Sequence, residues 1–330
     1  MVDLALSEQL VSETRVAVLR RFGRRDARFR FLTQISAILV VAIFGGVMFS
    51  LVAGSALAFK TFGWNFLFTQ VWNPVTEQFG ALGAIYGTLV TSALAMMVAV
   101  PVGIGIAIFL TEICPRALKR PIGIAIELLA GIPSIIYGVW GLFVFAPYFQ
   151  QHIQQHLISF FSGIPVLEDI FAGPPYGIGV FTASLILSIM ILPFISAVTR
   201  DVFETVPPIL KEAAYGLGCT TWEVMWRVVL PFSRSGVVGG AMLALGRALG
   251  ETMAVTFVIG NAHHIATSLF APGTTISAAI ANEFTEAVGD TYLSSLVAIG
   301  LILFGITFIV LASAQLMLRS LELRAGGRTS

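Results

Sequence analysis

Charged residues are rare in this chain. Asp, Glu, Lys and Arg make up 11% of its 330 residues, whereas 57% are hydrophobic. An average soluble domain carries about 25% charged residues, and 19 basic plus 18 acidic side chains cannot cover a globule of this length. Cysteine is nearly absent. Cys114 and Cys219 fit no CxxC or Cys/His pattern, which excludes a disulfide scaffold and a zinc module and leaves two free thiols. Lysine occurs three times, preceded by Phe59, Leu118 and Leu210. A P-loop needs Gly before its Lys so that backbone N–H groups can close around phosphate, so this sequence has no P-loop. HExxH and GxSxG are also missing, removing the commonest zinc-protease and serine-hydrolase signatures. No polar low-complexity tract supports a disordered or coiled-coil class.

Long apolar runs are what the sequence does have. They cover residues 31–59, 78–111 (apolar from Leu82), 122–148, 177–199, 235–260 and 291–318. Each is long enough for a membrane helix, so the expectation is an all-α polytopic membrane protein with six spans. The first 30 residues are polar and hold seven arginines, unlike a signal peptide. The basic residues then sort by loop. Seven lie in 1–30, three in 112–121, four in 200–234 and three after 318. The alternate loops hold only Lys60, and Arg247 falls inside a span. The positive-inside rule therefore places both termini in the cytoplasm. The expected organisation is a cytoplasmic segment 1–30, a six-span domain 31–318 and a cytoplasmic tail 319–330.

Three features carry functional information. In the loop 200–234, Pro207-Pro208 suits a helix start and Gly218 a sharp turn. The helix after it is expected to put Trp222, Trp226 and Val229 on one face and to end at Pro231. Such a pair of short helices is either a docking element or an interfacial element lying on the headgroups. The second feature is Arg247 with Glu251, whose i, i+4 spacing in one helix would bring them within pairing distance. Two readings fit: an ion pair that fixes packing, or an anion site or gate, since the arginine fork donates in pairs to phosphate. Gly236, Gly240, Ala244 and Ala248 add a small-residue stripe for close helix approach. The third is GIPSIIYG, residues 131–138, behind Glu127. Gly131 and Pro133 permit a kink or an open backbone, with Ser134 and Tyr137 offering hydroxyls at membrane depth. His152 with His156 and His263 with His264 read as solvated loop histidines before they read as metal ligands.

The spacing EAA-x3-G-x9-V-x-L-P over residues 212–231 resembles the coupling motif of permease subunits in binding-protein-dependent ABC importers. With AIELLAGIPSIIYGVWGLF, AAYGLGCTTWEVMWRVVLPF and LGRALGETMAVTFVIGN, the resemblance narrows to the phosphate-importer permeases and runs from about Phe31 to Leu318. It implies a type I ABC importer permease bundle in a bacterial inner membrane that moves inorganic phosphate inward and performs no covalent chemistry. It also implies that Glu212, Ala213, Ala214, Gly218, Trp222, Leu230 and Pro231 couple to a separate ATPase, while Arg247, Glu251, Glu127, Ser134 and Tyr137 serve the substrate pathway or gate. The partners implied are a second permease (PstA-like), an ATPase dimer (PstB-like) holding ATP and Mg, and a periplasmic phosphate-binding protein (PstS-like). No cofactor is expected in this chain. A permease for molybdate or sulfate, and a stand-alone secondary transporter or channel, are the competing expectations.

Overall fold

The computed structural model describes residues 2–326, with side chains from Asp26 to Arg319 except Ala27 and Met317. The chain divides into two units, 1–53 and 54–330. The first is the N-terminal part of helix α1 (Val2–Phe62). Its apolar side chains from Phe29 to Phe49 are largely exposed, as suits a lipid-bathed surface. Arg28 and Arg30 are exposed, and the side chains of Arg15, Arg20, Arg21, Arg24 and Arg25 lie outside the described residues.

The second unit is a helical bundle, and among the described residues no strand forms beyond two isolated bridges. Helices or helical runs at Arg28–Phe62, Leu82–Ile113, Val180–Glu204, Thr221–Leu249 and Asp290–Leu316 are long and apolar enough to cross a membrane. A sixth candidate is the pair Arg116–Ala130 and Ser134–Phe161, bent by 88°. The chain is therefore an all-α, multi-pass membrane protein, with six spans when the bent pair counts as one.

That bend corrects the continuous third span expected at 122–148. Helix α2 (Leu82–Ile108) leads into the turn before α3 (Arg116–Ala130). α3 stops at Gly131 because Pro133 has no N–H to offer and drives Ile132 out of helical geometry. Pro133 sits at φ −56°, ψ 137°, and α4 (Ser134–Trp140) starts anew after it. The Tyr137 hydroxyl donates to the Leu129 carbonyl at 2.9 Å, satisfying one acceptor freed where α3 ends.

The most buried span is α5 (Val180–Glu204). Its Ile186, Leu187, Ile191 and Ile195 are shut from solvent together with Ala95 and Ala99 of α2. Glycines set how closely neighbours approach. A Cβ on Gly103 would lie 2.7 Å from Ile195, too close for a real contact. The short helices α6 (Pro208–Gly216) and α7 (Thr221–Val224) follow, and then α8 (Leu230–Leu249) packs against α5. Gly236 and Gly240 face Val202 and Val198, where a Cβ would come within 2.6 and 2.7 Å. Ala244 and Ala248 are buried on the same stripe, as the four-residue spacing predicts.

Pro231 does not end a helix. It stands in the first turn of α8, and the helical run from Thr221 to Leu249 is continuous. The reason is the π-helical stretch Met225–Val229 immediately before it. Bonds of the i→i+5 type shift the register, so a residue without an N–H is accommodated without a break. The expected fifth span, 235–260, is instead interrupted at residues 250–252, and α9 (Met253–Ile259) begins beyond the gap. α10 (Ile276–Glu283) and α11 (Asp290–Gly326) complete the chain. The remaining end of α1 packs on α11, where the Ser294 hydroxyl donates to the Gly54 carbonyl at 2.7 Å and accepts from the Ala58 N–H at 2.9 Å.

Candidate functional site

The loop 200–234 folds as two short helices around a turn. α6 begins at Pro208, whose fixed φ suits the first helical position. Gly218 then reverses the chain at φ +84°, a left-handed conformation that side-chain-bearing residues adopt at a cost. Thr220 and Glu223 form a reciprocal capping box at the start of α7. One face of this hairpin is pinned to the bundle. Ala214, Val224, Met225 and Val229 are buried against Ala107, Phe203 and Val206. Lys211 Nζ meets Glu112 Oε1 at 2.6 Å with both side chains largely covered. Val229 therefore belongs to this anchor and not to the tryptophan face.

The opposite face is left open. Trp222 and Trp226 are 67% and 52% exposed with their rings 5.2 Å apart, and Leu217 is 86% exposed. Glu212, Ala213, Gly218 and Pro231 are exposed as well, Ala214 is buried and Leu230 is half-buried. An aromatic pair held outward over a buried underside leaves apolar area that nothing among the described residues covers. Five of the seven expected coupling residues thus lie on the open side and two help attach it.

The second cluster lies where two membrane segments break. α4 starts after the break at 131–133, and α9 after that at 250–252. The two short helices pack together: a Cβ on Gly138 would come within 2.9 Å of the Met253 carbonyl and 2.7 Å of the Phe257 ring. Gly138 and Met253 lie within about two turns of their breaks, so the structure brings Ser134, Tyr137 and Glu251 into one neighbourhood. Arg247 is in the last turn of α8 and Glu251 is beyond it, in the gap. They do not share a helix face, which corrects the i, i+4 expectation. The Glu251 carboxylate instead accepts from the Ala254 N–H at 3.2 Å, capping the new helix. Arg247 is exposed, and among the described residues it forms no ion pair. An exposed, uncompensated guanidinium between two apolar helical segments needs a polar cavity, a substrate or another subunit beside it. Ser134 is half-buried and Tyr137 buried.

Glu127 is elsewhere. It is on α3, paired with Arg200 of α5 at 2.8 Å, and Arg200 also holds Asp201 at 2.9 Å.

A polar hub at the opposite end of the bundle from the docking hairpin went unread in the sequence. Glu283 Oε2 accepts from Trp72 Nε1 and from the Tyr292 hydroxyl, both at 2.6 Å, and Oε1 meets His263 Nε2 at 2.6 Å. The Trp72 and His263 rings stack 5.1 Å apart, and Phe79 stacks on Tyr292 at 4.9 Å. Burial pushes the Glu283 carboxyl up, but its hydrogen bonds from His263, Tyr292 and Trp72 outweigh that and hold it below the ordinary carboxylate range. His263 is thus a bonded structural residue and not a solvated one. Among the described residues no group of three or more His, Cys, Asp or Glu side chains could hold a metal. Cys114 and Cys219 are free.

This bundle, with two interrupted membrane segments and an anchored helical hairpin, has the fold of ABC importer permeases. The family model described as "Binding-protein-dependent transport system inner membrane component" matches residues 99–322. The chain belongs to that family. Among its relatives is the protein named "Phosphate transport system permease protein PstC" of Mesorhizobium japonicum, 66% identical over 96% of this chain and 97% of the relative. The protein of the same name from Pasteurella multocida is 60% identical over 90% and 93%. A crystal structure of a bacterial alginate ABC transporter, in complex with its alginate pentasaccharide-bound periplasmic protein, superposes with a TM-score of 0.59. It covers 90% of this chain and 96% of the other at 19% identity, which establishes the type I ABC importer permease fold.

Proposed function

We propose that the chain is the permease subunit through which an ATP-driven importer moves inorganic phosphate from periplasm to cytoplasm, in a bacterial inner membrane with both termini inside. The observation that carries this reading is the helical hairpin with its buried underside and outward tryptophans, in a chain 66% identical to a named phosphate permease. The hairpin takes up a PstB-like ATPase dimer, which holds ATP and Mg, while this chain has no nucleotide site or cofactor of its own. A PstA-like permease completes the pathway and a PstS-like periplasmic protein delivers the anion.

In this reading Arg247 supplies the positive charge that phosphate meets at the level of the helix breaks, because its fork matches tetrahedral oxyanions. Ser134 offers a neutral hydroxyl nearby. Glu251 and Tyr137 are positioning residues that hold the backbone open at the two breaks, and Glu127 latches the Arg200 end of α5. Arg247→Ala in the assembled complex is expected to lower labelled-phosphate uptake about tenfold to hundredfold, the equivalent of one charge-assisted contact of about 1.5–3 kcal/mol. ATP hydrolysis is expected to continue. Unchanged uptake would exclude Arg247 from the path, and loss of subunit assembly would make it a packing residue. Uptake inhibited equally by sulfate would point to a broader oxyanion permease.

A further inference from the structure

Beside the Arg200 end of α5 is a cavity of about 290 Å³ whose polar lining is Arg116, Lys119, Arg120, Glu127, Arg200 and Glu204. Two of its four cations are matched by its two carboxylates: Lys119 Nζ lies 3.0 Å from Glu204, and Arg200 lies 2.8 Å from Glu127. Arg116 and Arg120, one turn apart on α3, are exposed and form no ion pair among the described residues. The cavity therefore carries two uncompensated positive charges above a floor of paired ones. Gly123 helps to make the room, since a Cβ there would stand 3.1 Å from Arg200 Nη1.

The surroundings indicate what reaches it. α3 lies at 88° to the helix that follows, and its Leu118, Ile124, Leu128 and Leu129 are exposed. A helix with a basic end and an exposed apolar side beyond it suits the membrane interface, its cations at the headgroups and its leucines toward the acyl chains. This is the face to which the charge count assigns the cytoplasm, where anionic headgroups are offered to basic pockets. Free arginine forks pair with phosphate oxygens, and an anionic headgroup offers these without the quaternary ammonium that cancels the charge of a zwitterionic one.

We propose that this cavity binds a phosphate group at the membrane surface, carried on the headgroup of an anionic phospholipid whose chains lie along the apolar side of α3. The same chemistry would accept free phosphate, so two probes separate the sources. The assembled transporter is placed in phosphatidylcholine nanodiscs containing spin-labelled phosphatidylglycerol or spin-labelled phosphatidylcholine, and the immobilised fraction of each is measured. In parallel, bound radiolabelled inorganic phosphate is measured. Wild type and Arg116→Gln/Arg120→Gln are compared, a substitution that breaks no ion pair and spares the paired cations. The expected result is several-fold selection of phosphatidylglycerol by wild type, falling to near unity in the double variant, with phosphate binding equal in both. A difference confined to the inorganic phosphate probe would retain the phosphate site and assign it to the free ion. No difference in either probe overturns the site. Arg234→Gln, another exposed cation on the same side, is expected to match wild type. A drop equal to that of the double variant would reduce the effect to diffuse charge and overturn the site as well.

Discussion

The two ends of the bundle handle their aromatic and polar groups in opposite ways. At the hairpin, Trp222 and Trp226 are held outward and the Lys211–Glu112 ion pair anchors the helices beneath them. At the other end, Trp72 and Tyr292 turn inward and give both their polar hydrogens to Glu283. One end leaves apolar area for something else to cover, while the other has satisfied itself. The same residue types are therefore left open in one place and closed in the other, and what differs is whether their polar atoms and ring faces already have partners.

The contrast fails most visibly if the tryptophans are dispensable. Trp222→Ala with Trp226→Ala is expected to weaken retention of the ATPase by about a hundredfold or more, from about 2 kcal/mol for each aromatic anchor. The thermal unfolding of the permease itself should be unchanged. A variant that keeps its ATPase would show that the exposed face is merely interfacial. Gly218→Val comes next, because a β-branched residue at φ +84° strains the turn by about 1–2 kcal/mol or more. ATP-driven uptake should fall about tenfold, whereas Gly218→Asn, which tolerates that region, should retain most of it.

At the closed end the effects should appear in stability and not in coupling. Glu283→Gln leaves three donors around one neutral acceptor and is expected to cost about 2 kcal/mol in denaturant unfolding, with ATPase retention intact. The smallest effect is that of pH. Since the folded Glu283 carboxyl lies below its ordinary value of 4.5, its contribution is present above about that pH. It is lost as the pH falls below 4.5 and through the lower folded value. The unfolding midpoint of wild type should therefore drop more steeply with acid than that of Glu283→Gln. Parallel profiles would remove Glu283 as the source.

The class of the fold and the docking hairpin were legible because both depend on local pattern. Apolar run length sets a membrane helix, and Pro208 and Gly218 carry their backbone preferences wherever they occur. The stripe from Gly236 to Ala248 was equally readable, since a four-residue repeat of small side chains has one packing consequence. The residues expected to serve a substrate path were harder. Arg247 and Glu251 are four residues apart in sequence, but helical spacing loses its meaning across the interruption at 250–252, and no proline marks that gap. Pro231 misled in the other direction, because the π-helical stretch before it absorbs a defect that an α-helix could not. The Glu283 hub was invisible for a different reason: Trp72 and Glu283 are 211 residues apart, and their pairing arises only from the bundle's tertiary arrangement.

The continuous run from Thr221 to Leu249 also fixes a gearing. Trp222 and Arg247 are the two ends of one rod, about 38 Å apart at 1.5 Å per residue. The rod approaches α5 closely at Gly236 and Gly240, against Val202 and Val198, just past its middle on the arginine side. A tilt about this stretch would carry the tryptophan end through an arc of radius about 21–27 Å and the Arg247 end through one of about 10–16 Å. The tryptophan end would then travel about 1.3 to 2.6 times as far as the arginine. If a partner moves the tryptophan end, displacement would be reduced and force multiplied by that ratio at the level of the helix breaks.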